Sequence, residues 1–225
     1  MGASKKLMEQ VLLAYAVPLK ITTARFANVA FSNGSLLAGF IERMMKRQPL
    51  TAPNDVKRYF VSPEESGQIC MLACLLGKSG EIFFPKLDAD QMMTFSHIAE
   101  RFLASLGYKA EKCASESEAK EKAARWTVAS ESYPVYFFKT DTSGEKSFEE
   151  FYTLHDEIDV ATYEALGVIQ NAEIPTVEEV EELLKAFEDL FAKDNIDKAT
   201  VVQLLSSHLS DFSHIETGKR LDDKM

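Results

Sequence analysis

Three stretches of this sequence combine residue types and spacing that could do chemistry. Lys5 stands in MGASKKLMEQVLLAYA, on an amphipathic helix that would hold its ammonium at a fixed azimuth. Ser32, Asn33, Gly34 and Ser35 form a polar turn ahead of a second helical run. Free backbone N–H groups and hydroxyls at a helix start can hold an anion or a sugar, and the same residues read equally well as a plain N-cap. Arg58, in VKRYFV, is flanked by Tyr59 and Phe60 and so lies beside buried apolar surface. A guanidinium held there could fork two phosphate oxygens, although an exposed strand arginine is an equal reading. By composition, Gly144-Glu145-Lys146 reads as an ordinary turn. No metal site is expected, because the four histidines are scattered and Cys70 and Cys74, four apart, have no further ligands nearby. Three cysteines give no even disulfide framework, and the thiols are expected to pack as small buried hydrophobes.

The elements that must position these residues alternate between helix and strand. Residues 3–16 place Leu7, Val11 and Tyr15 on one stripe, and Val17-Pro18 stops that helix. Leu19 to Val29, rich in β-branched and apolar residues, predicts one strand buried on both faces. Leu36 to Arg47 returns to a helical period, Gln48 to Asp55 reads as a connection, and Val56 to Val61 as a short strand. Ser62-Pro63-Glu64-Glu65 is a helix-start signature for a helix running to Gly77. Glu81 to Pro85 predicts a strand, Phe95 to Leu106 a helix, Tyr108 to Cys113 a strand, Ser115 to Ala129 a charged helix, and Val135 to Lys139 a strand. Beyond Phe151 the pattern predicts two helices, from Pro175 to about Lys193 and from Asp197 to Leu209. The first of them would bury Val177, Val180, Leu184, Phe187 and Phe191.

With 225 residues, 46% of them hydrophobic, the chain can bury a core of its own. A formal net charge of −10 leaves no basic excess to neutralise a nucleic-acid backbone, so any bound phosphate must be held by a few placed donors. No apolar run approaches the roughly 18 residues of a membrane span, and the charged start precedes an amphipathic helix rather than a signal-peptide core. The expectation is a cytoplasmic α/β protein that binds neither nucleic acid nor membrane.

Five segments, MGASK, ARFANVAFSNGSLL, DVKRYFVSPEESGQ, GEIFFPKL and GEKSFEEF, occur in an order and spacing that resemble the extended short-chain dehydrogenase/reductase family. The resemblance is closer to its UDP-sugar (UDP-N-acetylglucosamine) 4,6-dehydratase branch of polysaccharide biosynthesis proteins, over the C-terminal half only. It implies three parts: residues 1–30 as a remnant of a Rossmann domain, 31–152 as a smaller α/β substrate-binding domain, and 153–225 as a mainly helical extension. The family's Tyr-x-x-x-Lys motif falls on Met1 to Lys5, so Lys5 would hydrogen-bond the nicotinamide ribose of NAD or NADP, with Val29 near the cofactor. Met1 takes the tyrosine position; a thioether exchanges no proton, so another residue would be the base. Asn28, Ser32, Gly34 and Ser35 match the residues that face the sugar, and Arg58 matches the arginine on its diphosphate. Glu145 and Lys146 match a segment near the uridine, where Thr142 replaces the family's arginine.

The implied chemistry is an internal redox cycle in which hydride leaves sugar C4, water is lost across C5 and C6, and hydride returns to C6. No Gly-rich dinucleotide fingerprint occurs in the 225 residues, so the resemblance implies activity only together with a missing N-terminal half. A bare edge on the Leu19 to Val29 strand would then favour self-association or pairing with that half. The rival expectations are a UDP-sugar C4 epimerase of the same fold and a non-catalytic UDP-sugar-binding or assembly module.

Overall fold

The computed structural model describes residues 2–141, 150–209, 212, 214 and 216. Among them are seven α-helices and eleven short strands in a mixed α/β arrangement. The chain divides into two compact units, each assembled from separated segments: Met1–Arg25, Ile69–Lys86 and Tyr152–Met225 in the first, Phe26–Gln68 and Leu87–Phe151 in the second. The segments that chain order sets out as 1–30, 31–152 and 153–225 are thus interleaved, and the C-terminal residues belong with the N-terminal helix.

The first unit is built on a four-stranded sheet in the order β1 (Thr23–Ala24), β6 (Ile82–Pro85), β11 (Leu166–Ile169), β10 (Ile158–Asp159). β1 runs parallel to β6, while β11 is antiparallel to both β6 and β10. Every residue of β6 and β11 is buried, and Phe83, Leu166 and Val168 pack with Ile69 and Ala73 from the last turns of α3 (Pro63–Leu76). Gly77 follows that helix at a position where only glycine fits, since a Cβ there would lie 2.6 Å from the Ala73 carbonyl and 2.8 Å from the Phe83 ring. Gly167 of β11 lies directly under the ring of its cross-strand partner Phe84, where no side chain fits. The helix α1 (Gly2–Ala14) buries Leu13 and Ala14 and packs against α6 (Val177–Phe191), which in turn packs against α7 (Lys198–His208).

In the second unit β9 (Ser132–Phe138) lies between β3 (Leu50–Pro53) and β8 (Lys109–Lys112), all parallel. The helices α2 (Leu36–Met45) and α4 (Phe95–Ser105) bury Phe40, Ile98, Ala99 and Leu103 against Leu50, Ala52, Tyr133 and Val135. The helix α5 (Glu116–Arg125) covers β9 with Ala119 and Ala123. It ends at Trp126, whose ring meets Tyr108 and Tyr133 edge-on and whose indole N–H donates to the Ser132 carbonyl at 3.1 Å. Two small ribbons complete the unit: β2 (Asn28–Val29) parallel to β5 (Phe60–Val61), and β4 (Lys57–Arg58) antiparallel to β7 (Met93–Thr94).

Several expectations are corrected. Leu19 to Val29 is two strands, β1 and β2, in different sheets and different units, and Leu19 is 59% exposed, so no strand here is buried on both faces. The stretch from Gln48 to Asp55 contains β3, because Leu50 and Ala52 alternate inward with Pro53 at the strand end. Val56 to Val61 is divided at Tyr59 into β4 and β5. β10 and β11 lie in the region expected to be mainly helical, since runs of two and four residues give too short a signal to separate from loop. The helix α6 buries Val180, Leu183 and Leu190, whereas Leu184 and Phe191 are exposed. Only Cys113 is a buried thiol; Cys70 and Cys74 are exposed on α3.

Candidate functional site

Asn28 is fixed by the β2–β5 ribbon, where it stands opposite Phe60 while Val29 stands opposite Val61. Strand alternation turns Val29 toward Ala27, Tyr59 and Val61, a small core of its own, and leaves Asn28 and Ala30 on the other side. The Asn28 backbone N–H donates to the Tyr59 carbonyl at 3.2 Å, and its side-chain Nδ2 reaches the same oxygen at 3.4 Å. Beyond β2 the backbone reverses through Phe31, at φ 59°, and Gly34, at φ 73°. The Ser32 hydroxyl donates to the Val29 carbonyl at 2.9 Å and Ser35 N–H donates to the Ser32 carbonyl at 2.9 Å. Ser35 then caps α2, its Oγ accepting the Ala38 N–H at 3.3 Å. A Cβ at Gly34 would meet nothing within 4 Å, so this glycine is required by its backbone angle and not by close packing.

Arg58 lies across β4–β7 from Met93, and directly opposed residues of an antiparallel pair share a face. Its Nη1 donates to the Lys57 carbonyl at 2.8 Å, and its guanidinium carbon sits 5.9 Å from the centre of the Phe95 ring. Phe60 meets the same ring edge-on at 6.2 Å, whereas Tyr59 points the other way and stacks on Phe151. Arg58, Phe60 and Phe95 therefore share one side of the backbone, and Asn28, opposite Phe60, is on that side too. Phe95, the neighbour of Arg58 at the start of α4, was missed by sequence reasoning; its signal was the alternation of Met93 and Phe95.

Asn28, Val29, the Ser32–Ser35 turn and Arg58 all belong to the second unit. Lys5 belongs to the first unit, exposed on α1. One turn further along α1, the Glu9 carboxylate takes a two-pronged contact from Arg25, Nε at 2.9 Å and Nη2 at 2.6 Å, and Lys6 approaches at 3.2 Å. Burial pushes the Glu9 carboxyl up, but the hydrogen bonds and charge of Arg25, with Lys6, outweigh it and leave the pKa below the ordinary 4.5. This fork pins the helix that carries Lys5 to the end of β1. Met1, Thr142, Glu145 and Lys146 lie outside the described residues.

A dinucleotide needs a glycine-rich turn between a strand and a helix, so that backbone N–H groups can approach its phosphates. The strand-to-helix turn after β5 has Pro63 at the first helical position, and Ser62 and Glu65 satisfy each other's N–H groups at 2.6 and 3.1 Å. The turn after β2 has Gly34 alone, and the one before α5 closes on Ser115. None of these three turns has the glycine-rich spacing of a dinucleotide cradle.

A family model described as "Polysaccharide biosynthesis protein" matches residues 1–171. The chain belongs to this family. Two curated relatives are similar over about half of it. One, an "Uncharacterized membrane protein" of Methanocaldococcus jannaschii, is 32% identical over 118 residues, 49% of this chain and 35% of that protein. The other, "Probable polysaccharide biosynthesis protein EpsC" of Bacillus subtilis, is 29% identical over 115 residues, 50% of this chain and 19% of that protein. The aligned part is therefore a minor share of either relative's length. Among solved structures, Pen from Bacillus thuringiensis superposes with a TM-score of 0.55 at 17% identity, over 83% of this chain and 57% of that one, a likeness of fold. No helix among the described residues is long and apolar enough to cross a membrane.

Proposed function

We propose that the second unit holds the diphosphate and sugar of a UDP-N-acetylhexosamine, as the C-terminal, substrate-binding portion of a cytoplasmic NAD- or NADP-dependent 4,6-dehydratase. Its product would be a 4-keto-6-deoxy sugar nucleotide for surface polysaccharide or nonulosonic acid. The observation that carries this reading is the Arg58 guanidinium, laid on the Phe95 ring on the same side of the ribbons as Asn28. In a chain of net charge −10, such an aromatic-backed cation is a local anion site and not part of a basic surface. Arg58 would take the diphosphate, Asn28 and the Ser32–Ser35 turn would orient the sugar, and Glu145 and Lys146 would meet the uridine. NAD or NADP would supply the hydride acceptor, held chiefly by a dinucleotide-binding portion acting with this chain.

Calorimetric titration of UDP-N-acetylglucosamine into the chain tests this reading. Binding is expected, with Arg58→Ala weakening it at least tenfold, the usual scale for one lost charge-assisted contact. An unchanged affinity in Arg58→Ala would remove the phosphate assignment. The lack of a dinucleotide cradle among the described residues favours one second reading, a UDP-sugar binder without redox chemistry. That reading predicts that no dinucleotide-binding partner turns the bound sugar nucleotide into a product 18 mass units lighter.

A further inference from the structure

The helix α3 buries Ile69 and Ala73 against the sheet of the first unit. A surface helix ordinarily turns charged residues to the other side, yet no charged residue occurs between Glu65 and Lys78. In their place Cys70, Met71, Cys74 and Leu75, spaced i, i+1, i+4 and i+5, form an outward stripe, with Met71 62% and Leu75 71% exposed. Leu72 and Leu76 are exposed as well. The connection from α1 to β1 runs beside the end of this helix. There Ser79 Oγ donates to the Ala16 carbonyl at 2.6 Å and accepts the Ile21 N–H at 3.1 Å, and the Lys20 ammonium donates to the Cys74 carbonyl at 3.3 Å. That connection exposes Val17, at 87%, and Leu19. Together these side chains expose on the order of 800 Å² of apolar surface, more than the few hundred that soluble monomers usually leave open.

We propose that a second copy of this chain docks on this face of the first unit, in a two-fold dimer with α3 packed against α3. The proposal is independent of the sugar-nucleotide reading. The exposed area equals what each partner gives to an interface of standard size, about 800 Å². Charge points to the same occupant. At a net charge of −10 two copies repel over most of their surface, and an uncharged face is where they can meet without burying like charges. Lys20 and Lys78, at the end of the helix, would then face the acidic surface of the other copy. The same net charge disfavours an anionic bilayer, the other surface that takes an apolar helix. A strand added at the free edge of β1 would lengthen the sheet sideways and leave this face open, because α3 lies on the sheet's face and not at its edge.

Sedimentation equilibrium of the full chain, from nanomolar to high-micromolar concentration, should show a monomer–dimer equilibrium. Leu75→Glu should raise the dimer dissociation constant at least tenfold, because the two-fold axis brings the new carboxylate of each copy into the buried face. Met8→Glu, at a comparably exposed position on α1, should leave that constant within about twofold of wild type. Neither side chain is buried, so both variants should melt with the wild type at concentrations where all are monomeric. A second measurement needs no substitution: Cys70 and Cys74 should react more slowly with a disulfide reagent as the concentration rises through the dissociation constant, with the same two thiols titrated in the end. A chain that stays monomeric throughout, a dimer that Leu75→Glu leaves intact, or thiol rates that do not change with concentration overturns the proposal. Cosedimentation of a monomeric chain with phosphatidylcholine–phosphatidylserine vesicles would also overturn it and assign the face to a lipid surface.

Discussion

The fork between Arg25 and Glu9 ties one residue of α1 to the end of β1, and its strength depends on a charged carboxylate. Glu9 has a pKa below its ordinary 4.5, so it contributes stability that is present above that value and lost as the pH falls through its lower folded value. Glu9→Gln should therefore flatten the acid side of the stability curve, and it should cost about 1–3 kcal/mol at neutral pH by removing the charged half of its fork with Arg25. Urea unfolding at pH 7 and at pH 3.5 checks both statements; an acid limb as steep in the variant as in wild type would assign the loss to other groups. The thiols give a second test at this scale. Burial pushes Cys113 up from its ordinary pKa, whereas Cys70 and Cys74 are exposed. A disulfide reagent should titrate two thiols in the native chain at pH 8 and the third only on unfolding. Among residues, the aromatic setting of Arg58 was legible because Tyr59 and Phe60 follow it in sequence. The Phe95 ring was not, because the β4–β7 pairing that brings it to Arg58 joins segments 35 or more residues apart.

Helix starts were the most legible elements because a cap is written within four consecutive residues. Ser62 and Glu65 exchange both bonds of a capping box at the start of α3, and Thr176 and Glu179 do so at the start of α6. Thr176→Ala should destabilise the chain by about 1 kcal/mol, read as a lower urea midpoint with an unchanged slope. Gly77→Ala should cost more, about 1–3 kcal/mol, because its methyl would meet the Ala73 carbonyl and the Phe83 ring at 2.6 and 2.8 Å. Strands were less legible. An eleven-residue stretch rich in β-branched and apolar residues, Leu19 to Val29, suggests one strand, yet Arg25 N–H donates to the Phe83 carbonyl and Asn28 N–H to the Tyr59 carbonyl. The partners that divide the run lie in different sheets, and no local pattern encodes which strand a residue will pair with.

At the scale of the molecule, composition and alternation were enough to give a mixed α/β fold, and the order of five short segments was enough to give the family. The interleaving of the two units was not legible, because it depends on β11 returning from residue 166 to pair with β6 at residue 82. The candidate substrate-binding residues that the structure describes are concentrated in one of these units, Phe26–Gln68 with Leu87–Phe151, and Lys5 belongs to the other. That concentration makes the central claim local and open to direct test. Hydrogen–deuterium exchange of the full chain, with and without saturating UDP-N-acetylglucosamine, should show slowed exchange in peptides covering residues 28–38 and 57–62, and no comparable change in residues 158–169. Protection confined to the first unit, or none anywhere at saturating ligand, would contradict a sugar-nucleotide site built from Asn28, the Ser32–Ser35 turn and Arg58.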